Sequence, residues 1–383
     1  MQHNNRIAMV DALRGYALLG LFLVHCVERF ELYWLDPRPD GWFEAVFAMF
    51  SGKAFAIFAL LFGFSFATIM ANERARGGDF TLRFAWRLAL LFLIGTLHVL
   101  IYRGDILQVL AAVGLLMIPF DRVKSEKALL VLAALLFAQL PLLLRAWAAA
   151  QGAGWAAAHP LFWGDGGLAA LATGTFTEAL ISNLGPGSVN KWSFYVEGGR
   201  VVEIAGLFLV GMVLQRRRLF AEASERRQLW LRVLIGGGVL WGAARLAAAH
   251  GLPVGTAEMT SVSLLSALDQ YAALGATAFQ VAVFVLLWGS PLRPALASFA
   301  PAGRMTLTLY VGQSLMFAPI LYGYGWGLWD DVSNAQAILW GLTAFALQVA
   351  LAALWFRAYR YGPLEWLWRA ATRTTLAVPF RQT

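Results

Sequence analysis

Long apolar runs alternate along the chain with short polar connections, and within each run the apolar residues are continuous rather than alternating singly. Crossing a hydrocarbon layer about 30 Å thick takes about 20 helical residues. Runs of that order fall near 7–27, 43–70, 84–102, 106–120, 128–149, 197–215, 229–249, 263–289, 304–324 and 334–356. A helix satisfies its own backbone N–H and C=O groups in lipid, and an open sheet does not. The pattern therefore predicts an all-α fold, a polytopic transmembrane helical bundle of about ten spans. The run at 106–120 is short, and those at 43–70 and 263–289 are long enough to tilt strongly.

The periodic pattern lapses once, over 150–196, where Gly, Ala and Pro are frequent, as in Gly185-Pro186-Gly187. This divides the chain into an N-terminal five-helix half (1–149), an outer loop (150–196) with an expected interfacial helix from Leu168 to Ile181, and a C-terminal five-helix half with a cytoplasmic tail (197–383). A loop of this length serves as a lid or binding loop in some proteins and as a plain divider in others; the sequence leaves both open.

Composition sharpens the picture. Hydrophobic residues make up 60% and charged residues 14%, against about a quarter charged in soluble domains, so lipid must solvate much of the surface. The net charge of +8 would point to nucleic acid if the basic residues clustered on one domain. Instead they sit in the connections. Those assigned to one side carry 21 Lys and Arg, from Arg6 to Arg381, and the opposite connections carry only Arg29, Arg38, Arg103 and Lys191. Lys and Arg accumulate on the cytoplasmic side, which predicts both ends inside, a cytoplasmic (inner) membrane location and no nucleic-acid partner. A single cysteine, Cys26, excludes an intramolecular disulfide, and without a Cys/His cluster no metal is expected. The run Ile7–Val27 carries Asp11 and Arg14 and is expected to stay as the first span rather than be cleaved. No Walker loop, GxSxG elbow or HExxH is present, and the glycines at 236–238 suit close helix packing.

Ionisable groups inside spans are costly and usually face a cavity or a partner helix. Arg14 and His25 lie eleven residues apart in the first span, and Arg87 and His98 repeat that spacing in the third. Eleven residues leave an offset of about 20° and an axial separation of roughly 16 Å, so each helix carries an arginine and a histidine on one stripe. Arginines at one mouth, Arg83 and Arg87 with Arg14, suit phosphate groups, and a histidine farther in suits general-base work. Asp105, seven residues after His98, is placed to orient its ring. Lys53 is an intramembrane cation in need of an anion. Each has a plainer reading. Arg14 with Asp11 also reads as an ion pair, Lys53 as glue between helices, and Arg145, Arg200 with Glu203, Arg245 and Asp269 as bridges; His3, His159 and His250 have no assigned role.

Several stretches, in order, resemble the YeiB-like family of bacterial membrane proteins: Asp11-Ala12-Leu13-Arg14-Gly15, Phe58 to Gly63 preceded by Lys53, Leu97-His98 with Gly104-Asp105-Ile106-Leu107, Gly303-Arg304-Met305-Thr306 and Tyr361-Gly362-Pro363-Leu364-Glu365-Trp366. That family is grouped with a wider superfamily of transmembrane acyltransferases, including heparan-glucosaminide acetyltransferase-like proteins. Membrane O-acyltransferases of bacterial polysaccharides carry Arg-Gly followed by a histidine, reproduced by Arg14, Gly15 and His25; YeiB-like sequences more often have asparagine at the last position. The resemblance implies acyl-CoA, acetyl-CoA in particular, as donor on the cytoplasmic side and an acceptor exposed to the outer side.

The expected function is therefore transfer of an acyl group from acyl-CoA to an envelope glycan or lipid. His98, oriented by Asp105, is the expected base with His25 as competitor, and Arg14, Arg83, Arg87 and Lys53 are the expected donor-binding residues. The rivals are a secondary transporter or lipid carrier using the same polar cavity, revealed by flux without CoA, and a scaffold whose buried charges only stabilise. Membrane lipids are the expected surroundings, and the oligomeric state is left open.

Overall fold

The computed structural model describes residues 7–253 and 255–382; His3 and Arg6 lie outside them. Apolar runs become helices throughout, and no extended strand forms among the described residues. Helices of ten or more residues are labelled in chain order: α1 Ala8–Val27, α2 Gly41–Phe50, α3 Lys53–Ala75, α4 Thr81–Val99, α5 Leu107–Met117, α6 Glu126–Phe137, α7 Leu140–Ala150, α8 Ser188–Glu197, α9 Arg200–Arg216, α10 Arg227–His250, α11 Glu258–Trp288, α12 Thr306–Leu321, α13 Asn334–Ala358 and α14 Pro363–Arg373. Among the described residues, seven helical stretches are long and apolar enough to cross a membrane, with α12 a shorter apolar helix. The protein is a multi-pass helical membrane protein.

Polar side chains set several starts. Asp40 accepts from Trp42 N and Phe43 N at the head of α2, Ser125 caps α6, and Ser333 with Gln336 forms a capping box on α13, each satisfying amides that have no partner within the helix.

Several runs read as continuous are broken. The 43–70 run divides at Gly52, whose φ of 78° suits glycine. The 128–149 run divides at Gln139, φ 53°, just before Pro141 in the first turn of α7. The expected interfacial helix becomes two short ones, Leu168–Thr173 and Phe176–Ser182, because Gly174 is extended and Thr175 starts a new capping box.

Glycines bring helix backbones into contact where the site needs it. A Cβ on Gly15 would collide with Phe299 O, and one on Gly303 with Asp11 O, so α1 lies directly on the Ala300–Arg304 turn. A Cβ on Gly63 would strike Phe208 O and one on Gly211 Leu60 O, which locks α3 against α9. Of the triple glycine, Gly237 backs onto Gly275 of α11, while Gly236 meets nothing.

Candidate active site

α1 and α4 each bring an arginine, Arg14 and Arg87, to the same cavity. Arg14 pairs with Asp11 at 3.0 Å and also reaches Ser65 of α3. The Arg87 guanidinium lies 3.5 Å from the ring centroid of Trp368 in α14, whose indole N–H donates to Arg87 O at 2.9 Å. Two further arginines come from the C-terminal part. Arg304 packs on Phe356 at 3.8 Å and Arg369 on Tyr361 at 4.5 Å. Glu365, half-buried in α14, accepts from Leu307 N, Thr308 N and Thr308 Oγ1 and so caps α12; desolvation raises its pKa, and the hydrogen bonds hold it down in part.

These groups rim a cavity of about 930 Å³, within the ordinary range for ligand sites. Arg14, Arg87, Arg304 and Arg369 line one end, Phe58, Phe62, Leu88 and Leu91 its walls, and Ile106 and Tyr310 the far end. A cationic rim over an apolar shaft matches a ligand with an anionic head and an uncharged tail.

The histidines lie beyond that far end. The His98 ring stands 5.0 Å from the Tyr310 ring, and Tyr310 OH accepts from Ile106 N. His98 Nδ1 is 2.8 Å from Asp105 Oδ1, and both residues are buried. Asp105 Oδ2 takes the Gln108 amide at 2.9 Å. A Cβ on Gly95 would overlap Asp105, so the glycine lets the 99–106 turn fold back onto α4. Since the carboxylate accepts, Nδ1 carries the proton, which in the neutral ring leaves the lone pair on Nε2; Nε2 is buried with no hydrogen-bond partner.

His25 is the second imidazole of the same chamber. Its Nδ1 lies 2.9 Å from Tyr102 OH, and Tyr102 approaches Glu31 at 3.5 Å. Glu31 in turn binds Arg103 at 3.0 Å. His25 Nε2 is also buried and unpartnered. The Tyr102 ring contacts both histidines, at 4.9 and 6.0 Å between centroids. Burial drives the Tyr102 hydroxyl pKa far up, with nearby Glu31 adding to the shift, so it stays protonated. Three consecutive non-glycine residues, Arg29, Phe30 and Glu31, have positive φ. Such geometry persists only where surroundings enforce it, and here Arg29 donates to Val332 O while Tyr322 OH donates to Phe30 O.

The 150–196 segment covers this chamber. Arg103 donates to Gly166 O at 2.8 Å, Asn183 to Leu100 O at 3.0 Å, and Lys191 Nζ reaches Gln108 Oε1.

Among the residues singled out from sequence, His98, Asp105 and His25 thus share one chamber, and Arg14 and Arg87 share the cavity rim. Two lie elsewhere. Arg83 is exposed beside a separate depression of about 530 Å³ with Trp86 and Thr372. Lys53 Nζ donates to Phe47 O at 3.2 Å across the α2–α3 break. Arg145 does pair with Glu197 at 3.4 Å, and Arg245 with Asp269 at 3.7 Å. Arg200 stacks on Phe55 and Phe194 instead of bridging to Glu203. Sequence reasoning missed Tyr102, Tyr310, Glu31 and Lys191. Tyr102 stands four residues after His98, a helical-turn spacing that marks it in retrospect.

Residues 6–163 match the family described as heparan-alpha-glucosaminide N-acetyltransferase, catalytic. Residues 214–375 match a family described as protein of unknown function (DUF418). The chain is 29% identical to the uncharacterised protein YxaH of Bacillus subtilis, over 96% of this chain and 94% of that one. It is 27% identical to the uncharacterised protein YeiB of Escherichia coli, over 96% of both. Two family matches in chain order and relatives aligned along nearly its whole length show that the chain is similar to the YeiB-like membrane proteins and, over its first part, to the heparan-alpha-glucosaminide N-acetyltransferase family.

Proposed function

We propose that the protein is a membrane-bound acyltransferase that moves an acyl group, acetyl being the simplest, from acyl-CoA to a hydroxyl or amine of an envelope glycan or lipid. The observation that carries this reading is a buried imidazole, His98, with Nδ1 tied to Asp105 and Nε2 free, one tyrosine ring beyond an arginine-rimmed cavity. In the same reading the chain spans the inner membrane ten times with both ends in the cytoplasm; α5, α9 and α12 supply the three spans shorter than the other seven.

Arg14, Arg87, Arg304 and Arg369 would hold the donor's phosphates by charge-assisted hydrogen bonds, and the apolar shaft would take its uncharged arm. The nucleophile would enter from the side covered by the 150–196 segment. His98 Nε2 takes the proton as the acceptor oxygen or nitrogen attacks the thioester carbonyl. Asp105 stabilises the imidazolium so formed. The proton then passes to the thiolate as the carbon–sulfur bond breaks. Lys53 and Arg83 have no part in this scheme, and His25 stands as the second imidazole through Tyr102.

The test is incubation of purified protein with labelled acyl-CoA and envelope extract. Label should pass to an envelope component with wild type and not with His98→Ala. No transfer by wild type, or undiminished transfer after combined His98→Ala and His25→Ala, removes the mechanism.

A further inference from the structure

Away from the cavity, hydrogen bonds join two helix interruptions and a third helix, all three carrying buried side-chain oxygens. Gln139 stands in the left-handed break between α6 and α7. Gly198 and Gly199 separate α8 from α9, with Gly199 at φ 73°. Gln139 Nε2 donates to Gly199 O at 3.2 Å, and Gln270 Nε2, from α11, donates to Gly198 O at 3.0 Å. These bonds fix both amides. Reversing either would set oxygen against carbonyl oxygen. Both side chains are buried, and both amide oxygens are left without a partner.

A carboxylate joins them. Residues 199, 203 and 206 fall on one face of α9 by helical spacing. A Cβ on Gly199 would overlap Gln139 Oε1, and one on Gly206 would overlap Phe137, so that face is turned to the α6–α7 break. Glu203, between them, is 1% exposed, and neither carboxylate oxygen has a hydrogen-bond partner. Arg200, one turn earlier, is held on two aromatic rings at 4.9 and 4.6 Å.

Four buried acceptor oxygens, two of them on one carboxyl group, thus belong to elements joined at this junction, with no donor bonded to any of them. Buried acceptors in that state are costly, and a bare buried carboxylate is costlier. Hard oxygen donors select hard cations over the softer metals that prefer nitrogen or sulfur. One carboxylate balances one positive charge, which favours a monovalent over a divalent ion. Discontinuous helices supply coordinating oxygens of this kind in membrane transporters.

We propose that Glu203, Gln139 and Gln270 form a binding site for an alkali-metal cation, Na⁺ in the first instance, at the junction of the α6–α7 break, the α8–α9 break and α11. Bound there, the ion ties the two halves of the chain across the bundle. The site is independent of the acyl-transfer reading, and its test needs no activity.

The experiment measures the thermal unfolding midpoint of the purified full chain in detergent at constant ionic strength and at each of several pH values, titrating NaCl, LiCl or KCl against choline chloride. The expected result is a saturable rise with at least one alkali salt over choline, abolished in Glu203→Gln. In Gln139→Ala the half-saturating concentration should rise roughly tenfold or more, as when a supporting ligand is lost. The proposal is overturned by equal midpoints in alkali and choline salts, or by an undiminished cation response in Glu203→Gln. A midpoint that follows pH alone in every salt also overturns it, since a proton would then be the only ligand. Should Glu203→Gln fail to fold, an unchanged half-saturation in Gln139→Ala overturns the proposal and a raised one supports it.

Discussion

His98 and His25 differ in how their Nδ1 atoms are held. Asp105 binds His98 directly, whereas His25 reaches Glu31 only through Tyr102. The direct carboxylate partner stabilises an imidazolium more strongly, so His98→Ala should lower kcat for acyl transfer by about 10²–10⁴-fold, the usual worth of a general base. Asp105→Asn should lower kcat while leaving KM for the donor nearly unchanged, read from steady-state rates at varied acyl-CoA. Lys191 offers a test that needs no substrate. Burial pushes its amine down to about 8, with Asp105 and Glu31 opposing the shift. Between about 8 and its ordinary value of 10.5 the unfolded chain binds more protons than the folded one, so stability from this group rises with pH there. Thermal midpoints measured from pH 7 to 10 should climb more steeply for wild type than for Lys191→Met. At this scale spacing alone placed the arginines and histidines on common stripes. The position of Lys53 was not legible, because the break at Gly52 lets its ammonium turn back to the Phe47 carbonyl at the end of α2, which also accepts from Ser51 N.

Each apolar run marked a helix, since continuous hydrophobicity and helical backbone satisfaction act locally. The breaks were harder to read. Pro141 was visible in sequence, but the left-handed turn falls on Gln139, which the carbonyl at Gly199 holds from sixty residues away. Helix α14 shows the same dependence on distant partners. It is an amphipathic helix at the rim, joined to α4 through Trp368 and to α12 through Glu365. Trp368→Ala should leave Arg87 without its aromatic support, worth about 0.5–2 kcal/mol, and raise KM for acyl-CoA with a smaller change in kcat. The glycine crossings belong to this scale too. Gly211→Leu forces α9 away from the Leu60 carbonyl of α3. A loss of at least about 1–3 kcal/mol, typical of overpacking, should appear as a lowered thermal midpoint or as protein that cannot be purified folded.

In the whole molecule, the cavity and the imidazole chamber draw on both ends of the chain. Arg14 and Arg87 come from the region matching the acetyltransferase family, and Arg304, Tyr310 and Arg369 from the region matching the DUF418 family. A site read from sequence as a property of the first half therefore needs the second, and no local pattern announced that. The Tyr310 ring lies between the arginine-rimmed cavity and His98, and it bears on what the molecule must prevent as well as what it does. On the acyl-transfer reading, a thioester parked before an open channel would meet water as readily as its intended nucleophile. A side chain that stays shut until the acceptor arrives makes the difference between transfer and futile cleavage. Tyr310→Ala should accordingly behave as a leak, releasing free CoA from acyl-CoA with no acceptor present, whereas wild type holds its donor intact.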